Sequence, residues 1–396
     1  MDKKNKNPNV PNLRFSQFIE PWNNYIVSEL LTTFPTNSLS WDQLVENQDS
    51  SLKNLHYGLI HNGFETTCIT GENQLFPYIK HSFFPTKYAL IQNGDLILAD
   101  ASEDRKDVGR PVEMLDISNQ KIVSGLHTIH ARNKTDLIVN GFKGFYFQSS
   151  AMKQQIFKIA NGSKIYGISS SAFNELKMFI PEKQEQKKII DLMIKIEERI
   201  QTQSKIISDY NSLKSGVYNW MFKENNVTFK LKQLAHIVKG VQINNDQLLS
   251  NGAYYMMNGG TLPSGYLDSY NVSENTISIS EGGNSCGYVQ FNKERFWSGG
   301  HCYTIQNVNP LIVENKYLYH YLKHKEKEIM NLRIGTGLPN IQKKDLENFT
   351  IFVPNLLIQR KNLALFEMLD EKICILNEEL ERLEKQKKYL LRNLFI

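Results

Sequence analysis

Residues Gly162 to Phe222 recur as Gly335 to Phe395 at a constant offset of 173, without a gap over about sixty positions. Gly162 falls on Gly335, Ile168 on Ile341, Phe179 on Phe352, Pro181 on Pro354, Gln186 on Gln359, Ile200 on Ile373 and Lys214 on Lys387. Self-similarity held in register over that length marks a chain built from two copies of one unit. Weaker echoes lie upstream. Ser124-Gly125-Leu126-His127 faces Ser298-Gly299-Gly300-His301 at an offset of 174. Tyr25 to Leu30 resembles Phe229 to Leu234 at a larger offset, so the first copy carries extra loop residues.

Each copy ends in a helix with a seam. Positions 189, 193, 196, 200, 203, 207, 210, 214, 217 and 221 alternate steps of four and three, and eight of the ten are apolar. The same positions in the second copy, from Asn362 to Leu394, again hold eight apolar residues of ten. A period of 3.5 sustained this long predicts helices that pack on a partner helix rather than lie alone on a core. Lys214 and Lys387 interrupt the two seams at the same place, which favours packing of the helices on each other. Pro181 and Pro354 stand where a missing N–H costs little, and Glu182 and Glu185 suit the positive end of the first helix. Forty helical residues make a rod of roughly 60 Å.

The expected organisation is an N-terminal tail over 1–20, a mixed domain over 21–180 and a long helix over 181–222. A second mixed domain over 223–353 and a second long helix over 354–396 follow. The fold class is α+β, with a pseudo-twofold repeat. Leu96-Ile97-Leu98 and Thr276 to Ile279 read as strands entered from turns. The runs 145–158 and 317–333 read as one helix in each copy, and the Gly-rich stretches at 258–260, 282–283 and 299–300 as tight turns.

Several function classes leave no trace. No run of eighteen apolar residues occurs, and MDKKNKNPNV lacks the apolar core of a secretory signal, so it reads as a disordered tail on a cytoplasmic protein. Cys68, Cys286, Cys302 and Cys374 form no Cys-x-x-Cys pair and read as reduced structural thiols, any approach of Cys286 to Cys302 being coincidental. There is no phosphate-binding Gly-x-x-x-x-Gly-Lys-Ser/Thr loop, no Gly-x-Gly-x-x-Gly opening a βα unit, and no Asn-Pro-Pro-aromatic motif. His56 with His61, or His127 with His130, lacks a third ligand, so these read as structural histidines. The acidic group Asp100, Glu103, Asp104 and Asp107 is interleaved with Arg105, Lys106 and Arg110 and reads as a solvated loop. The net charge of +5 is spread thinly, with 18 basic against 17 acidic residues in 1–180 and 13 against 11 in 223–353. A nucleic-acid contact must therefore come from a local patch.

Each long helix opens with a Phe-hydrophobic-Pro-x₄-Gln-basic-Lys run, FIPEKQEQKKI and FVPNLLIQRKNL. Each is preceded by a Gly-Ser/Thr loop, NGSKIYGISSSAFNEL and GTGLPNIQKKDLENF, and the chain starts with a Pro11-Asn12-Leu13-Arg14-Phe15 segment. With the tandem layout, these motifs resemble the specificity subunit of type I restriction–modification systems across nearly the whole chain. The second copy departs from the pattern in having Ile358 opposite Glu185, and the first in having Lys164 to Gly167 opposite Gly337 to Asn340.

The resemblance implies a subunit without catalysis or a cofactor of its own. Two target-recognition domains would each read half of a bipartite site on double-stranded DNA. The helices would form an antiparallel coiled coil that sets the spacer. Two modification subunits carrying S-adenosylmethionine would dock on this frame, and restriction subunits using ATP and Mg2+ would join them. Candidate DNA contacts are the Gly-Ser/Thr loops, with Gly162, Ser163, Lys164 and Tyr166 in the first copy and Gly335, Thr336, Gly337 and Asn340 in the second. Their amides, hydroxyls and following helix make a phosphate cradle, unless Ser169 or Asn340 is merely a helix cap. Arg105, Lys106 and Arg110 are candidates for base readout, with Asn284 and Ser285 as the second domain's counterpart. Arg333, Lys343 and Lys344 are candidate phosphate partners. Two rival classes are a non-catalytic protein–protein scaffold that never touches DNA, and a freestanding DNA-modifying enzyme, which the missing cofactor motifs disfavour.

Overall fold

The computed structural model describes residues 9–47, 51–62, 64, 67–70, 76–117, 120–222, 227–335, 337 and 339–396. The expected tail lies, as far as residue 8, outside the described residues. The chain divides into two compact units, 1–204 with 378–396, and 205–377.

Each unit is closed by a pair of antiparallel strands. Asn23–Ile26 pairs with Lys177–Ile180, and Val227–Lys230 pairs with Thr350–Val353. A single helical turn follows each first strand, Val27–Leu30 and Leu231–Leu234, with its first and last residues buried. In both, a side chain three residues into the turn reaches back to the strand. Glu29 accepts from the Ile26 amide at 2.9 Å and Gln233 from that of Lys230 at 2.6 Å, satisfying an amide that the helix cannot.

The central sheets repeat as well. The order is Leu31–Phe34, Thr128–Asn133, Leu96–Ala99, Pro111–Leu115 in the first unit, and His236–Lys239, Cys302–Gln306, Thr276–Ser280, Val289–Asn292 in the second, all antiparallel. Leu96–Ala99 and Thr276–Ser280 are buried along their whole length, the first a continuous apolar run and the second an alternation of isoleucine with buried threonine and serine. The first unit adds Cys68–Thr70 as a parallel fifth strand on Pro111–Leu115. A smaller sheet also recurs around one parallel pairing: Ile122–Ser124 with Lys53–Leu55, and Trp297–Ser298 with Tyr254–Met257.

The structure corrects one reading. The runs taken as single helices are each broken in two, Phe142–Gln148 with Ser150–Ile159, and Asn315–His324 with Glu326–Met330. In the first, Ser149 is extended and its hydroxyl accepts from the Met152 amide at 3.3 Å. A serine cap starts a new helix there in place of a continuing turn.

The long helices are Lys183–Met221 and Leu356–Asn393. All ten seam positions of each are buried or half-buried. In the first unit, Ile189, Met193 and Ile196 share a core with Leu383, Leu390 and Leu394. In the second, Tyr218 and Phe222 share a core with Phe366. The start of one helix thus packs with the end of the other in each unit, which makes the pairing antiparallel. The seam lysines find carboxylates on the facing helix. Lys387 lies 2.6 Å from Glu197 in the first unit, and Lys214 bonds Asp370 in the second. The offset of 173 carries Glu197 onto Asp370 just as it carries Lys214 onto Lys387.

Two repeated motif residues now have a structural reason. Gln186 is fully buried; its amide group donates to the carbonyls of Leu137 and Pro181 at 2.8 and 2.9 Å, and its oxygen accepts from Val139 at 2.8 Å. Gln359 makes the same three bonds, to Ile312 and Pro354 at 2.9 and 2.8 Å and from Glu314 at 2.8 Å. Each glutamine ties the opening of a long helix to the loop before the central helices. Glu185 accepts a bidentate fork from Arg14, both bonds 2.8 Å, and a bond from the Trp22 indole at 3.2 Å. Ile358, its counterpart, has no such partner to bind and is 43% exposed.

Candidate nucleic-acid interface

The two Gly-Ser/Thr loops are hairpin loops of one design. Asn161 and Gly167 exchange both amide bonds, at 3.0 and 2.8 Å, and Ile334 and Asn340 do the same at 2.8 and 3.0 Å. Gly162 and Gly335 take positive φ, +142° and +95°. A Cβ at Gly162 would stand 1.9 Å from the Ile165 carbonyl oxygen, so the first loop closes only on glycine. Ser163, Lys164, Gly335 and Gly337 are exposed, Tyr166 is half-buried and pairs with Ser102, and Thr336 lies outside the described residues.

The helix that follows each loop is short, Ser170–Asn174 and Lys343–Glu347. Five residues carry little dipole, so the expected cradle reduces to loop amides and side chains. Ser169 caps the first helix, its hydroxyl accepting from Ala172 at 3.2 Å. Asn340 caps nothing. The cap position belongs to Gln342, whose amide group donates to the Asn340 oxygen at 2.9 Å.

The basic group of the first unit departs from expectation. Arg110 donates to the carbonyls of His61 and Phe64 at 2.7 and 3.2 Å, and Arg105 donates to that of Ala160 at 3.2 Å while lying 4.3 Å over the Phe157 ring. A half-buried guanidinium seeks acceptors, and here main-chain oxygens take two bonds from Arg110 and one from Arg105. Lys106, between them, is exposed. The acidic loop around them is internally bonded. Asp104 accepts from the Lys106 amide at 2.9 Å, and Asp107 bonds His61 at 2.9 Å.

The histidines are held individually. His61 also meets the Ala101 carbonyl at 2.9 Å, and its bond to Asp107 raises its pKa while lowering that of Asp107. His56 accepts from the Gly58 amide at 3.1 Å and lies between Trp41 and Tyr57; burial, with His127 nearby, pushes its pKa down to about 4. His130 bonds Asp95 at 2.7 Å. Among the described residues no group of three His, Cys, Asp or Glu is placed to hold a metal ion. Cys286 and Cys302 are buried free thiols.

In the second unit the Gly-rich turns converge. Gly283 donates to the Pro339 carbonyl at 3.1 Å, joining the turn that bears Asn284 and Ser285 to the hairpin loop. Asn258, Gly260, Gly283, His301 and Asn340 line the resulting groove. Asn284 is exposed, Ser285 half-buried, and Arg333, Lys343 and Lys344 are exposed on the flanking segments, Lys343 lying 3.7 Å from Glu347. The first unit carries a corresponding groove lined by Tyr57, His61, Ser102, His127 and Ile165. Asn258 and His301 were not singled out from sequence. The signal for His301 was the Ser-Gly-x-His echo, and that for Asn258 the Gly-rich stretch 258–260.

The profile of the type I restriction modification DNA specificity domain matches residues 85–209 and again residues 223–385. The chain belongs to this family. Both copies of the repeat are therefore specificity domains. The chain is 34% identical over 164 residues to a type I specificity subunit of Mycoplasma pneumoniae, covering 41% of this chain and 42% of that one. It is also 34% identical over 133 residues to a type I specificity subunit of Mycoplasma genitalium, covering 34% and 33%. The match spans less than half the length of these curated relatives. In fold the likeness runs end to end. The crystal structure of a type I restriction–modification S subunit from M. genitalium superposes with a TM-score of 0.63 at 16% identity, over 98% of this chain and 99% of that one. A chain from a structure of type I complex assembly superposes with a TM-score of 0.59 at 15% identity, over 93% and 96%.

Proposed function

We propose that this chain is the DNA-reading subunit of a type I restriction–modification complex and performs no catalysis itself. The single observation that carries this reading is the duplication in space: each specificity domain presents the same hairpin loop beside the same groove. Each domain then reads one half of a bipartite, asymmetric site on duplex DNA. Lys106, Ser163, Lys164, Asn284, Gly337 and Asn340 face the DNA, and Arg333, Lys343 and Lys344 meet phosphates, which adds salt dependence but little sequence preference. The long helices set the spacer and dock two modification subunits, which carry S-adenosylmethionine. Restriction subunits supply ATP- and Mg2+-dependent cleavage. The complex works in the cytoplasm.

The test is a domain exchange. Residues 1–180 are replaced by the first domain of another family member, and the modified motif is read by single-molecule methylation mapping. The expected result is a change in one half of the motif, with the other half and the spacer retained. A change in both halves overturns the division of labour.

A further inference from the structure

Three segments of each unit meet at the groove through the same main-chain bonds. In the first, the Asp100 amide donates to the His127 carbonyl at 3.0 Å, and the Asp100 carbonyl accepts from the Ile168 amide at 2.9 Å. In the second, the Glu281 amide donates to the His301 carbonyl at 2.9 Å, and the Glu281 carbonyl accepts from the Ile341 amide at 2.9 Å. His127 maps onto His301 at an offset of 174, Ile168 onto Ile341 at 173, and Asp100 onto Glu281 at 181. Three different offsets thus converge on one arrangement.

The side chains repeat too. Nδ1 of His127 lies 3.3 Å from Asp100, and Nδ1 of His301 lies 3.8 Å from Glu281, the first a hydrogen-bond distance and the second an ion-pair distance. Glu281 is itself held by Lys239 at 2.6 Å and by the Tyr303 hydroxyl at 3.1 Å. The histidine side chains are 50% and 65% exposed. No described residue bonds Nε2 of either ring, and both rings line the grooves beside the hairpin loops. A carboxylate within hydrogen-bond distance of one ring nitrogen orients the ring, as Asp100 does for His127, while Glu281 at 3.8 Å draws the His301 ring by charge when that ring is protonated.

We infer that His127 and His301 are equivalent base-reading side chains, each turned by its carboxylate so that Nε2 meets the edge of one base in duplex DNA. This rests on the DNA-reading function proposed above. Asp100 and Glu281 are positioning residues. They act through the ring and touch no DNA.

The experiment maps methylation by the chain assembled with its modification subunits. His127→Ala should weaken the preference at one base pair of one half-site by about tenfold, the size of a lost base-edge contact. His301→Ala should do the same in the other half-site, and neither should move the spacer. Asp100→Ala should relax the same base pair as His127→Ala, while Asp100→Asn, which keeps an acceptor oxygen, should restore the preference. The exposed rings make both histidine variants tolerable to the fold, and His→Gln variants read the same positions if a melting curve shows otherwise. An unchanged motif in both histidine variants, or a uniform drop in methylation over all sequences, overturns the inference alone. A wild-type assembly that modifies no bipartite motif overturns the underlying reading, and the inference with it.

Discussion

At the scale of single residues, buried polar groups with complete sets of partners do most of the specifying. Gln186 and Gln359 each satisfy two carbonyls and one amide from inside the protein. Truncating either to alanine strands those groups, and the expected loss is about 2–4 kcal/mol by denaturant unfolding. The more conservative Gln359→Glu should still cost stability, since a carboxylate cannot donate to Ile312 and Pro354. His56 gives a pH dependence. Its folded pKa of about 4 lies below the ordinary histidine value of 6.5, so the unfolded chain takes up the proton first as pH falls. Stability should therefore decline between about 6.5 and 4 and lose nothing more from this group below that. His56→Gln keeps an acceptor for the Gly58 amide, and its urea midpoint should fall less between pH 7 and 4.5 than that of the parent chain.

At the scale of elements, the two lysine–carboxylate pairs between the facing helices differ in strength. Lys387 and Glu197 are 16% and 5% exposed, and Glu197 also accepts from the Thr67 hydroxyl at 2.8 Å. Lys214 and Asp370 are 23% and 39% exposed. Lys387→Met should cost about 3 kcal/mol, because it leaves a nearly buried carboxylate without its cation. Lys214→Met should cost about 1 kcal/mol or less, its partner being open to water. Thermal melts of the two variants check the order, and an equal effect would refute it. The helices were also the most legible elements, because a 3.5-residue period over ten seam positions admits little else. The Gly-Ser/Thr segments were legible as loops, and the positive φ of Gly162 and Gly335 explains the glycines, but their hairpin pairing was not. What stayed hidden depends on distant partners. Nothing local tells that Arg110 will be claimed by the carbonyls of His61 and Phe64, or that Ser149 will cap a new helix. The groove histidines were obscured for a different reason: Asp100 and Glu281 are displaced by 181 residues, so the constant offset that exposed the helices passes over them.

At the scale of the whole molecule, reading and spacing should be separable. One heptad added to both long helices lengthens each by roughly 10 Å, or about three base pairs at 3.4 Å. Methylation mapping should then return the same half-sites around a longer spacer, and altered half-sites would refute the separation. The lysine pairs bear on how such helices find each other at all. Residues 214 with 370 and 387 with 197 satisfy a single antiparallel alignment. Sliding one helix by a heptad keeps the greasy stripe matched but sets Lys214 against Leu363 or Asn377, and Lys387 against Ile190 or Ser204. Both ammonium groups lose their counterions in the same slip. The misaligned pairing is disfavoured twice over.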